Sequence, residues 1–242
     1  MASFEAVADE YDAARPSYPD EVFDALGPLA GMRVLDVGAG TGIATRSLIA
    51  RHADVVAIDA GRELLRRATT HTAGLVAVVA DGAALPVRSN TVDLVCFAQA
   101  WHWLDPATRV AEVARVVRSG GRCAAWWSHA RADGQRWFDD YWAAIERSCP
   151  GTHRGQRDTD WGATMAAHEL FVVHERVTVS WTREIPIDLW MIDQASHSYI
   201  VGLANAQRDQ LIADLRRIVR SEFTDRTMIV PYETWLWIGT RI

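Results

Sequence analysis

The chain has 242 residues, 49% of them apolar and 23% charged, with a formal net charge of −6. That length supports one sizeable α/β domain, and the negative balance argues against a phosphate-binding surface and hence against nucleic acid as a partner. Every basic side chain is arginine; without a lysine amine, pyridoxal phosphate, Schiff-base and P-loop chemistry are excluded.

The first ten residues lack a basic stretch followed by an apolar core, and no apolar run approaches the roughly 18 residues of a membrane span. The sequence therefore predicts a cytoplasmic protein with no membrane partner. From residue 32 to about 127, short apolar runs alternate with helical patterns. The runs are Arg33–Val37, Val55–Asp59, Leu75–Ala80, Val92–Phe97 and Arg122–Trp127; the helices are Ile43–Arg51, Arg62–His71 and Pro106–Arg118. Alternation of this length implies a parallel sheet with helices on both faces, and strands without polar alternation fit burial on both sides. Beyond it lie a helical pattern over Arg136–Arg147 and a polar loop from Pro150 to Asp160. A strand of period two follows, with Val177, Val179 and Trp181 alternating with Thr178, Ser180 and Thr182. An amphipathic helix covers residues 206–223, and a last strand runs from about Arg226 to Arg241. Pro231 interrupts that strand, which suggests a bulge or an edge position.

The first run ends in Val34-Leu35-Asp36-Val37-Gly38-Ala39-Gly40-Thr41-Gly42, a strand spilling into a glycine-rich turn before a helix. Gly38 and Gly40 let the backbone turn sharply and keep side chains away from a bound ligand. A G-x-G-x-x-G dinucleotide fingerprint would need glycine at 43, where Ile43 stands. Ligands of open α/β sheets bind beyond the carboxyl ends of the strands, so the residues there are the candidates. Asp59, followed by Ala60, ends the second strand, where a carboxylate can accept both ribose hydroxyls or else cap the next helix. Asp81-Gly82 follows the third and reads by itself as an ordinary turn. The fourth runs into Ala98-Gln99-Ala100-Trp101-His102-Trp103. His102 is a candidate general base, or a histidine held structurally below the strand end. Cys96, Cys123 and Cys149 read as small apolar fillers in a reducing compartment. The eight histidines show no metal-ligand spacing, so no metal is expected.

The acidic residue, the glycine spacing and the three later strand ends, in this order between residues 4 and 127, resemble class I S-adenosylmethionine-dependent methyltransferases. The run Ala98-Gln99-Ala100-Trp101-His102-Trp103 looks like a variant found in a small-molecule subfamily similar to trans-aconitate methyltransferases. The resemblance implies a Rossmann-like, seven-stranded, mostly parallel sheet with the last strand antiparallel, an N-terminal arm and a helical cap. It implies one domain over residues 1–242: arm 1–30, cofactor core 31–127, acceptor-selecting cap 128–200, final helix and strand 201–242. It also implies S-adenosylmethionine as cofactor and S-adenosylhomocysteine as product. Asp36, Gly38, Ala39, Gly40, Asp59, Ala60, Asp81, Gly82, Ala98 and Gln99 would hold the cofactor, Asp81 accepting from the adenine amine. The segment Tyr11-Asp12-Ala13-Ala14-Arg15-Pro16-Ser17-Tyr18-Pro19 is similar to an arm folded across the cofactor. Tyr11 and Arg15 would contact the methionine moiety or an acidic substrate, and its alternative is a short packing helix. Tyr18, Trp101, His102 and Trp103 would line the acceptor site. Eleven tryptophans lean towards an apolar or aromatic acceptor. The expected activity is methyl transfer to an oxygen, nitrogen or carbon of a small molecule, with a non-transferring cyclase or scaffold as the alternative. An NAD-dependent oxidoreductase fits less well, for want of a glycine at 43 and of a lysine proton relay. Oligomeric state is left open.

Overall fold

The structure is a computed structural model and describes Arg15 and residues 17–242. Tyr11 therefore lies outside the described residues. In chain order the elements are α1 (Asp20–Asp24), β1 (Arg33–Val37), α2 (Ile43–Ala50), β2 (Asp54–Asp59), α3 (Arg62–His71), β3 (Val76–Val79), β4 (Val92–Ala98), α4 (Arg109–Val116), β5 (Val117–Ala130), α5 (Arg136–Ser148), α6 (Trp161–Met165), β6 (Phe171–Val173), β7 (Val177–Pro186), α7 (Ile187–Ala195), α8 (Ser198–Val201), α9 (Asn205–Glu222) and β8 (Thr227–Arg241). Short 3-10 turns occupy Trp101–Trp103, Arg154–Asp158 and Ala167–Glu169.

The strands pair in the order β3-β2-β1-β4-β5-β8-β6, with β7 also on β8. The pairings β1 with β2, β1 with β4, β2 with β3 and β4 with β5 are parallel, whereas β6 and β8 run antiparallel. The order turns back on itself at β1 and β4, and the ends of those strands and of β2 carry the motifs described above. The predicted sheet of seven strands has eight, because the short β6 precedes the expected strand at 177. β8 lies inside the order and not at an edge. Its Pro231 has no N–H to give, and its carbonyl accepts from the Arg131 N–H at 2.7 Å.

The chain divides into two compact units. One comprises residues 17–128, 160–179 and 234–242. Its buried apolar strands β1 and β4 read as continuous hydrophobic runs because both faces are covered. On one side Trp126, fully buried, packs edge-on against Phe23 at 5.9 Å and Tyr18 at 5.7 Å, pairs worth about 0.5–1.5 kcal/mol beyond area burial. The other unit comprises, among the described residues, Arg15, 129–159 and 180–233. Within it α5 and α9 pack Trp137, Phe138, Tyr141, Leu211, Leu215 and Val219 into a core with Trp190 and Met228. Trp126, Trp137 and Trp190 are thus core residues, and the tryptophan count says less about the ligand than the sequence suggested.

Candidate functional site

The turn after β1 is shaped by three glycines at positive φ, Gly38, Gly40 and Gly42. Two of them have different reasons. A Cβ on Gly38 would stand 2.4 Å from the Cβ of Ala100, so the residue is small because another loop fills its space. A Cβ on Gly40 would meet nothing within 4 Å, which leaves open room above the backbone. The Gly38 and Ala39 amides both donate to the Ile58 carbonyl, at 2.8 and 3.1 Å, fastening the turn to the end of β2.

Asp59 completes that fastening. Its Oδ2 accepts from the Gly40 amide at 2.9 Å and its Oδ1 from the Gly61 amide at 2.7 Å. Helix α3 begins after Gly61 with no side-chain cap, so the helix-capping alternative for Asp59 gives way to a cross-link between two loops. Ala60, between the two bonds, is exposed. A carboxylate has about four acceptor positions, and these two contacts leave capacity on each oxygen.

Below the turn, Asp36 is fully buried. Its Oδ2 accepts from Thr45 Oγ1 at 2.5 Å, while its Oδ1 has no hydrogen-bond partner among the described residues. Burial pushes its carboxyl up to about 6, the Thr45 bond working against that and the charge of Asp59 with it. A folded-state value above the unfolded one means that Asp36 helps folding below the unfolded pKa of 3.8, and that this help fades as pH rises through about 6. Asp36→Asn should therefore gain stability relative to the parent as pH rises from 4 to 7. Parallel melting curves at pH 4, 5, 6 and 7 check this, and a constant gap would remove the assignment.

After β3, Asp81 is exposed and its Oδ1 accepts from the Ala83 amide at 2.9 Å, an Asx turn. A Cβ on Gly82 would come within 3.2 Å of both Leu104 and Val37. Gly82 therefore lets this loop lie against β1 and against the loop after β4. That loop leaves β4 through Gln99, whose φ of +56° is rare for a residue with a side chain. Its amide donates to the Trp126 carbonyl at 2.8 Å and its Nε2 to the Tyr18 hydroxyl at 3.4 Å. Ala98 and Gln99 are half-buried. Strain of this kind gathers at functional turns.

The following 3-10 turn sorts its two tryptophans in opposite directions. Trp101, expected to line the acceptor site, is wholly buried. It packs on Phe97 at 4.9 Å, donates from Nε1 to Thr164 Oγ1 at 2.9 Å and lies under the Arg109 guanidinium at 4.9 Å. It is a core residue, because a tight turn must bury one of its bulky faces. Trp103 is 69% exposed. Arg109 was missed by sequence reading, although a cation in the first turn of α4, where the dipole disfavours it, is a signal that another contact holds it. His102 lies next to Trp103, with ring centroids 4.6 Å apart, and its Nδ1 accepts from Trp127 Nε1 at 3.3 Å. Burial and then the Arg109 charge lower its pKa from the usual 6.5.

Arg15 belongs to the other unit. There its Nε is 3.6 Å from Asp193 Oδ1 and its NH2 donates to Ser196 Oγ at 3.2 Å. Its partner is a carboxylate of the chain itself. Among the described residues no group of three or more His, Cys, Asp or Glu could hold a metal, and no helix is long and apolar enough to cross a membrane.

A family model described as a methyltransferase domain matches residues 35–125. The chain is 34% identical over 235 residues to an uncharacterized methyltransferase of Mycobacterium tuberculosis, covering 96% of this chain and 93% of that protein. It is 25% identical to an uncharacterized methyltransferase-like protein of Schizosaccharomyces pombe, over 91% of this chain and 87% of that one. Among solved structures, one assigned to a type II methyltransferase of Anaeromyxobacter dehalogenans superposes with a TM-score of 0.71 at 23% identity, covering 94% of this chain and 97% of that one. A geranyl diphosphate methyltransferase solved with S-adenosylmethionine superposes with a TM-score of 0.51 at 16% identity, over 92% of this chain and 84% of that one. Glycine turn, strand order and relatives agree: this chain belongs to the class I methyltransferases, enzymes that take their methyl group from S-adenosylmethionine.

Proposed function

We propose that this enzyme transfers the methyl group of S-adenosylmethionine to an oxygen, nitrogen or carbon of a small apolar or aromatic molecule. The observation that carries the reading is the Asp59 carboxylate. It stands at the end of β2, held by the Gly40 and Gly61 amides, with acceptor capacity left for a diol. The residues fit the cofactor. Gly40 has open room where a Cβ would sit, and the partnerless Oδ1 of Asp36 leaves an acceptor beneath the turn.

In this reading Asp36, Gly38, Ala39 and Gly40 form the floor, Asp59 and Ala60 meet the ribose, and Asp81 and Gly82 meet the adenine. Ala98 and Gln99 flank the reacting end. When bound, S-adenosylmethionine supplies an electrophilic sulfonium methyl group. The chain's own task is to bind, orient and exclude water, which can account for several kcal/mol of the barrier. Tyr18, His102 and Trp103 face the acceptor. The three free, buried cysteines accord with a reducing, cytoplasmic setting.

Calorimetric titration tests the reading directly. S-adenosylhomocysteine should bind with millimolar or tighter affinity, and NADH should not. Absence of S-adenosylhomocysteine binding would overturn it. Binding without release of S-adenosylhomocysteine from S-adenosylmethionine across a panel of phenols, carboxylic acids and amines would favour a cofactor-binding scaffold.

A further inference from the structure

The contact between Trp127 and His102 fixes more than a ring position. An indole N–H can only donate, so the His102 Nδ1 that receives it at 3.3 Å must carry a lone pair. A neutral imidazole then holds its proton on Nε2. The surroundings keep the ring neutral. Trp103 lies 4.6 Å away between centroids, and Trp127 and Trp161 lie 6.0 Å away each, the latter two stacked on one another at 4.8 Å. Burial first, and then the charge of Arg109 of α4, disfavour a positive charge on the ring. His102 is nonetheless an exposed residue, and its Nε2 has no partner among the described residues.

We propose that His102 serves methyl transfer as a fixed Nε2–H donor to a heteroatom of the acceptor and takes no proton from it. This rests on the methyl-transfer reading above and narrows it. The acceptor carries an atom that can receive a hydrogen bond, and its reacting atom is nucleophilic without help from this histidine. The acceptor's lone pair forms the bond to the methyl carbon while the carbon–sulfur bond breaks and its electron pair stays on sulfur. The cofactor leaves as neutral S-adenosylhomocysteine. Any proton on the reacting atom passes to water. A base at this position would need a bare Nε2, which the Trp127 contact denies it.

Long-range nitrogen–proton NMR of histidine-labelled protein saturated with S-adenosylhomocysteine decides the tautomer without any acceptor. His102 should show a bare Nδ1 and a protonated Nε2 from pH 6 to 8, and Trp127→Phe should raise the share with the proton on Nδ1. A protonated Nδ1 in the parent protein, or an imidazolium through that range, would overturn the proposal. With whichever phenol, carboxylic acid or amine turns over, His102→Ala should lose about ten- to hundredfold in kcat/KM, the scale of one hydrogen bond to a charged or developing group. His102→Gln, whose amide N–H can stand in for Nε2–H, should recover most of that loss. The acidic limb of the pH profile should keep its position in both variants; its disappearance from both would mark a base and sink the proposal. If nothing in the panel turns over, the transfer reading falls, while the NMR result still decides the state of His102.

Discussion

Gly38→Ala should lower stability by about 2–5 kcal/mol. Two costs add. A residue with a side chain at a φ of +72° is strained by about 1–2 kcal/mol. The new Cβ would also stand 2.4 Å from the Ala100 Cβ, and overpacking of that kind costs about 1–3 kcal/mol. In a domain of this size the sum corresponds to a fall of roughly 4–20 °C in melting temperature. The two costs can be separated, because Ala100→Gly removes the clash and leaves the strain. The double variant Gly38→Ala, Ala100→Gly should be more stable than the sum of its single changes predicts, by about 1 kcal/mol or more. Simple additivity in a double-mutant cycle would show that the two loops do not meet as described.

Asp59→Ala should weaken S-adenosylhomocysteine binding by about 1–3 kcal/mol, or roughly five- to 150-fold, the scale for removing a charged acceptor from a hydrogen-bonded site. The loss has two sources that calorimetry combined with melting curves can tell apart. One is the acceptor capacity offered to the ribose. The other is the tie between the Gly40 and Gly61 amides, at 2.9 and 2.7 Å, which holds the turn in shape before anything binds. Asp59→Asn keeps one acceptor oxygen while losing the charge, and should fall between the parent and Asp59→Ala in affinity. Parent-like affinity in Asp59→Ala would show the ribose assignment to be wrong.

Much of the fold was legible because it is written locally. Strand β1 and helix α3 begin and end where the apolar run Arg33–Val37 and the pattern Arg62–His71 placed them. Buried parallel strands are continuous apolar runs, and glycines mark the turns between them. Strand β5 was read too short, from Arg122, because Ser119-Gly120-Gly121 reads as a turn. The strand instead starts at Val117 and continues through those glycines, with a register shift against β4 between Val92 and Leu94. Of the two positions Pro231 suggested, a bulge or an edge, the strand order rules out the edge. A proline argues against an interior position only when its missing N–H is needed there.

The candidate site was legible as a set of strand ends, since fold topology alone brings those together. The jobs of individual side chains were not. Whether Asp59 caps its own helix or reaches back to Gly40 depends on a residue 19 positions away. Whether Trp101 or Trp103 turns inward depends on Thr164 and Arg109, which lie on other elements. Gln99's left-handed backbone has no local signature, because a glycine or asparagine would be the usual occupant. Its φ is imposed by the bond to Trp126 and by the turn that follows.

The methyl of Ala100 sits where a side chain at position 38 would have to go. Packed interiors have no slack at that scale, so the two turns behave as meshed gear teeth. A side chain at 38 cannot be accommodated unless the turn at Ala100 moves, and His102 stands two residues beyond Ala100. On the proposed reading, the turn that would hold the methyl donor and the turn that carries the imidazole are fitted to one another before anything binds.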